Sequence, residues 1–151
     1  MIHLVYCDHK ADELNKLIRH DKTKIVRGAQ GRKLPYGRVH PGEVLYFVEN
    51  DGKQTIKAIG VVKSVINSPA LDPAESEAMI QDHLLESRLS QEQIIQLSGK
   101  RYLCIIEVEE VMALNEPFVF ERQASMDNWI SVERIEDLTS FHHSLESPGF
   151  H

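Results

Sequence analysis

The sequence has little cysteine and no long apolar run, and each shortage excludes a class of protein. Its two cysteines, Cys7 and Cys104, stand far apart and form no CxxC pair, so neither a zinc knuckle nor a disulfide framework is encoded. No stretch approaches an apolar membrane span, and the opening MIHLVYCDHK lacks the basic start, apolar run and small-residue cleavage site of a leader. The expectation is a chain in the reducing cytoplasm, away from membranes. No GxSxG surrounds Ser64 or Ser68, and there is no internal repeat, low-complexity tract or Ser/Gly-rich linker. At 151 residues the chain is long enough for one domain with a real core and short for two. A single domain over 1–151 is therefore expected, with a mobile tail after 139.

Positive charge is scarce overall but concentrated locally. The chain carries a net charge of -6, yet Lys22, Lys24, Arg27, Arg32, Lys33 and Arg38 fall within one stretch that contains no acid. Elsewhere, 11 basic side chains face 23 acidic ones. A protein of this balance repels phosphate in general and so cannot coat nucleic acid indiscriminately; a local cationic loop can still guide an anion to one place.

Periodicity gives the elements. IHLVYC (2–7) alternates and reads as a strand, and Ala11, Leu14, Leu17 and Ile18 recur at helical spacing in the segment that follows. KTKIVRG reads as a second strand. Gly28, Gly31, Pro35 and Gly37 make the next dozen residues a loop. VLYFVE is a strand, turned by Asn50-Asp51-Gly52 into a long antiparallel partner, TIKAIGVVKSVI. Asp72, Pro73 and Glu75 start a helix over 74–89, and Ser90 with Gln93 starts a second that Gly99 closes. RYLCIIEVEEVMAL is a long strand with Leu103, Ile105 and Val108 pointing to burial; FVFE and WISVERI are two further strand candidates. The sum is an α+β domain with a mostly antiparallel, strongly curved sheet.

The order of these pieces resembles the ASCH domains of the PUA-like superfamily. Lys22, Thr23 and Arg27 fall on that family's G-x-K-T-x-x-x-R strand, and Gly42, Glu43, Leu45 and Phe47 on its G-D-x-(I/L)-x-F strand. Two positions depart from the pattern: Asp21 stands for the glycine and Glu43 for the aspartate. NEPFVFER and NWISVERIEDL are similar to the closing strands of PUA-like proteins, and residues 70–98 form a helical insertion. The resemblance implies a β pseudo-barrel with a cleft beside the first helix and the Lys-Thr strand, and an association with RNA or modified nucleosides. Some ASCH proteins are similar to small amidohydrolases that deacylate modified cytidine with a Lys, a Thr and a Glu. Lys22 matches that lysine, while Ile25 stands where the hydroxyl residue is expected.

The expected binding surface is therefore a cleft of Lys22, Thr23 and Arg27 under the loop of Arg32, Lys33, Tyr36 and Arg38, with Trp129 nearby. Arg and Lys suit phosphate, Thr23 a polar base or sugar edge, and Tyr36 or Trp129 a base face. The same residues also fit a solvated edge strand, a soluble loop and a core tryptophan. The expected partner is RNA or a nucleotide-like anion. One alternative is the amidohydrolase, with Lys22 activating a carbonyl or water and a glutamate moving a proton; another is a regulatory domain that binds protein through the acidic insertion. Glu75, Glu77, Glu107, Glu109 and Glu110 include possible acids or bases, and equally fit helix surfaces and strand exteriors. His3 and Cys7 share a strand face and His9 lies close by, but no HxxxH or CxxC spacing supports a metal, so neither metal nor cofactor is expected. His142 and His143 read as a solvated pair in the tail.

Overall fold

The computed structural model describes residues 1–120 and 128–137. In chain order these form β1 (Ile2–Cys7), α1 (Glu13–Ile18), β2 (Lys24–Ala29), β3 (Val44–Glu49), β4 (Thr55–Asn67), α2 (Pro73–Asp82), α3 (Leu84–Ser87), α4 (Gln91–Leu97), β5 (Tyr102–Val119) and β6 (Trp129–Val132), followed by a 3-10 turn at Ile135–Asp137. The tail after 139, with His142 and His143, lies outside the described residues, and so does Glu121 of FVFE. Among the described residues no helix is long and apolar enough to cross a membrane.

All six strands join one curled, mixed sheet in the order β2-β5-β4-β3-β1-β6, a half-barrel. The Asn50-Asp51-Gly52 turn joins β3 and β4 in antiparallel register, from Val44 opposite Val61 to Val48 opposite Ile56. β1 lies parallel to β3, Ile2 opposite Val44 through Cys7 opposite Glu49. Among the described strands this is the one parallel pair, and it fits α1 and β2 intervening between the two strands, since parallel neighbours need a long crossover. FVFE does not form a separate strand: Phe118 and Val119 continue β5, which runs for 18 residues. Three register shifts between β4 and β5 supply the bend, because each bulge increases local twist and re-aims the strand.

Side-chain alternation divides the interior. In β2, Ile25 is fully buried in a core shared with Leu14, Leu17, Phe47 and Trp129, while its neighbour Val26 faces the opposite side and packs with Ile80, Leu103 and Ile105. β5 alternates likewise, with Cys104 and Ile106 inside and Leu103 and Ile105 outside. The insertion thus packs on the outer face of β2 and β5. Its helices begin as their sequence signals require: Asp72 and Glu75 form a capping box behind Pro73, and Ser90 and Gln93 form a second. The helix expected over 74–89 divides at His83 into α2 and α3, and α3 stops at Arg88, whose φ of 47° is left-handed. A third core of Leu4, Val48, Ile56 and Phe120 fills the far end of the sheet.

The cationic loop is not a purely solvated connection. Pro35 and Val39 are buried, Leu34 and Tyr36 pack against the main core, and the Leu34-Pro35 bond is cis. Tyr36 donates its hydroxyl hydrogen to the Ser68 carbonyl, and the Gly37 N–H bonds Asn67 Oδ1 at 2.9 Å. The loop is thereby pinned to the end of β4.

Candidate functional site

A buried three-charge cluster sits where α1 meets β2. Glu13 lies one turn before Leu17 on the inward face of α1, and its carboxylate is reached from two sides. Lys22 Nζ lies 3.3 Å from Oε2 and Arg27 Nη2 3.3 Å from Oε1, with Glu13 and Lys22 each only 1% exposed. The Asp8 N–H adds a hydrogen bond at 3.0 Å. Burial pushes Glu13 upward, but the fields of Arg27 and Lys22 and the Asp8 N–H outweigh it and hold the carboxyl at about 2. Burial also lowers Lys22, a shift that Glu13 opposes without cancelling. Lys22 additionally donates to the Ser87 carbonyl at the end of α3.

Arg27 extends from this cluster. Its guanidinium donates to the carbonyls of Val26 (3.0 Å) and Tyr6 (2.9 Å) as well as to Glu13. Since β2 and β1 are not neighbours in the sheet, the Arg27 bond to Tyr6 joins two strands that no ladder among the described residues connects directly. With five N–H groups and three hydrogen bonds to described residues, the guanidinium keeps two donors for other partners.

A cavity of about 230 Å³ opens beside it, lined by Arg27, Gly28, Ala29, Gly31, Lys33, Leu34, Pro35, Tyr36, Tyr102, Cys104, Asn128 and Trp129. Three of these residues are aromatic. Tyr36 meets Tyr102 edge-to-face with ring centroids 5.4 Å apart, and Arg32 and Arg101 each place a guanidinium 5.5 Å from the Tyr102 centroid. Trp129, only 2% exposed, is both core residue and cavity wall. Its indole N–H donates to His3 Nδ1 at 3.1 Å. An indole N–H can only donate, so Nδ1 is the unprotonated nitrogen, and Nε2–H donates to Glu43 Oε1 at 2.7 Å. Burial lowers the His3 pKa despite Glu43, which keeps this tautomer in place.

The residues singled out from sequence divide into three groups. Arg27, Lys33, Tyr36 and Trp129 meet at the cavity. Arg32 lies against Tyr102, outside the lining, and Arg38 is exposed. Lys22 and Thr23 line neither this cavity nor the larger one that also includes Arg27 in its lining; the Lys22 amine is taken up by Glu13 and the Ser87 carbonyl. Sequence reasoning missed Glu13, Tyr102 and Asn128, and weighed His3 only as a metal ligand. Glu13 left a signal, an acid four residues before Leu17 on an apolar helix face. Tyr102 left none, because only its pairing with Ala29 brings it to the loop.

His3 and Cys7 do not converge on a common ligand point: His3 is committed to Glu43, Ser131 and Trp129, and Cys7 is buried, its thiol pushed well above the usual range by burial and by Glu13. Cys104 is held at about 12 by burial, so the thiol in the cavity wall is a poor nucleophile. His9, Glu49 and Asp51 bring donor atoms within 4.8 Å of one another, but the Glu49 carboxylate already takes Lys57 Nζ at 2.8 Å and His9 Nδ1 at 2.9 Å.

No protein-family model matches the sequence, and no curated protein matches it. Solved structures do. The ASCH protein of Zymomonas mobilis superposes with a TM-score of 0.60 at 9% identity, over 78% of this chain and 73% of that one. A single-residue variant of the same protein gives the same score and identity over 78% and 75% of the two chains. The fold is of the ASCH type. At 9% identity the likeness concerns the path of the chain alone, and the chemistry of this ASCH fold rests on its own side chains.

Proposed function

We propose that this ASCH-type domain binds RNA or a nucleotide-like anionic ligand, with one base in the cavity between Arg27 and the aromatic wall. The observation that carries the reading is the meeting of an arginine with two uncommitted donors, a rim lysine, Lys33, and the rings of Tyr36, Tyr102 and Trp129 around about 230 Å³. Aromatic walls accept the π-face of a base, and a guanidinium suits paired phosphate or base-edge oxygens. The volume lies below the roughly 300–1,000 Å³ of sites for drug-sized molecules, which fits one base better than a folded nucleic acid.

In this reading Lys22 acts from behind the wall. Glu13 alone would neutralise Arg27 and leave nothing to attract an anion. With Lys22 present the cluster carries one net positive charge, directed to the cavity through Arg27. Thr23 fixes the entry to β2, its backbone N–H donating to the Glu86 carbonyl and its carbonyl accepting from Val108.

The test is titration of the purified protein with ribonucleoside 5′-monophosphates and short single-stranded RNA, followed by the emission of Trp129, the only tryptophan. Binding should perturb that emission and weaken as salt rises. Arg27→Ala should cost on the order of 1–3 kcal/mol of affinity if the guanidinium makes a paired contact. Absence of binding at low salt would overturn the reading.

A further inference from the structure

Arg27, Gly28 and Asn128 line both the first cavity and a second, larger one of about 750 Å³. The two spaces therefore share a wall, and Arg27, with two N–H groups that no described residue takes up, is part of it. The far side of the second cavity is supplied by the insertion, through Gln93 and Gln96 of α4 and Lys100 just after it; the near side includes Lys10 and Asn50. Gly28 allows the two sides to approach: a Cβ there would fall 3.2 Å from Leu97 Cδ2 and 3.2 Å from Lys100 Cβ.

The lining points to one kind of ligand. Side-chain amides pair with the donor and acceptor edges of bases, and Lys10 and Lys100 suit a phosphate. Asp8 and Glu92 also line the space, so a densely charged polyphosphate would meet repulsion, whereas a nucleoside with one linking phosphate would find partners for both its amino groups and its oxygens. A base-paired duplex cannot present a free base to either cavity.

Resting on the reading of the first cavity, we propose that the second holds the neighbouring nucleotide of a single-stranded RNA, with Arg27 contacting the phosphate between the two. The binding unit is then a dinucleotide, and the insertion supplies half of its second subsite.

Two ligand sets separate this proposal from the reading beneath it: the ribonucleoside 5′-monophosphates and the ribodinucleoside monophosphates, titrated by calorimetry into the intact protein. The best dinucleotide should bind about tenfold or more tighter than the best mononucleotide, the increment of one added stacked or paired base. Gln96→Ala with Lys100→Ala should remove that increment and leave mononucleotide affinity unchanged. Gln96 is exposed and Lys100 half-buried, and an unchanged melting temperature would show that the variant folds. Equal affinity for the two sets, or a dinucleotide advantage that survives the double substitution, overturns the second subsite alone. Failure of both sets to bind overturns the first-cavity reading and this proposal with it. ATP should bind no tighter than AMP; a triphosphate preference would contradict the acidic lining and overturn the proposal.

Discussion

At the scale of single residues, the Glu13–Lys22–Arg27 cluster makes an asymmetric prediction. Glu13→Gln leaves two buried cations facing each other without a counter-charge, a loss expected to cost about 3–5 kcal/mol. Lys22→Met leaves the Glu13–Arg27 pair intact and deprives the Ser87 carbonyl of its donor, at about 1–3 kcal/mol. Urea melts of the two variants should rank them in that order; a larger loss for Lys22→Met would show that the lysine, not the glutamate, organises the site. Lys22→Met should also weaken anion binding without touching the ligand, because it cancels the net charge of the cluster. His3 gives a second prediction. It is surrounded by Glu43, His40 and the Met1 amino group as well as by Trp129, and its pKa lies below the ordinary 6.5. For a histidine held neutral by the fold, the unfolded chain takes up the proton first, so stability is full above pH 6.5 and declines as pH falls toward the folded-state value. Protonated Nδ1 would then face the Trp129 N–H, donor against donor. Melting temperature and Trp129 emission should fall together over that range, and His3→Gln should flatten both; a wild-type profile with no slope below pH 6.5 would refute this.

At the scale of elements, legibility followed the range of the interactions. Helix starts at Asp72 and Ser90, the Asn50-Asp51-Gly52 hairpin and the alternation of β1 and β2 are written in neighbouring residues, and the structure contains them all. The parallel pairing of β1 with β3 joins strands with a helix and a strand between them, and no local pattern encodes it. The same limit applied to the site. Lys33, Tyr36 and Arg27 could be picked out because charge and aromaticity cluster in one stretch, whereas Tyr102 and Asn128 arrive from distant strands. Lys22 and Arg27 look equivalent along a strand; only the position of Glu13 and α3 separates a lysine facing inward from an arginine at a cavity. The contact of α4 with β2 supplies an element-scale prediction. At Gly28 a Cβ would come within 2.9 Å of Leu103 Cδ2 and against Lys100 Cβ, so Gly28→Ala should force the end of α4 outward and destabilise by about 1–3 kcal/mol. Amide exchange should accelerate in α4 and remain slow in β4; uniform exchange across both would argue against a local displacement.

At the scale of the whole molecule, a protein of net charge -6 that attracts an anion at one spot should show a shallow salt dependence, because few phosphates are neutralised. Removing one phosphate contact with Lys33→Ala should reduce the slope of log affinity against log salt by roughly one unit for RNA while leaving the melting temperature in place, since Lys33 is exposed. An unchanged slope would remove Lys33 from the interface. The half-barrel has a wider consequence through Arg27, which tethers β2 to the Tyr6 carbonyl of β1, a strand that is not its neighbour in the sheet, and also lines both cavities. A residue with two such duties is a poor target for gradual adaptation: any substitution that retunes ligand preference there also loosens the closure of the sheet, and lineages carrying it must recover stability elsewhere. Divergence in ligand choice is therefore channelled to cavity positions that carry no such tether, Gln96 and Lys100 above all, so that descendants of this chain can change what they bind while keeping the arginine that closes the fold.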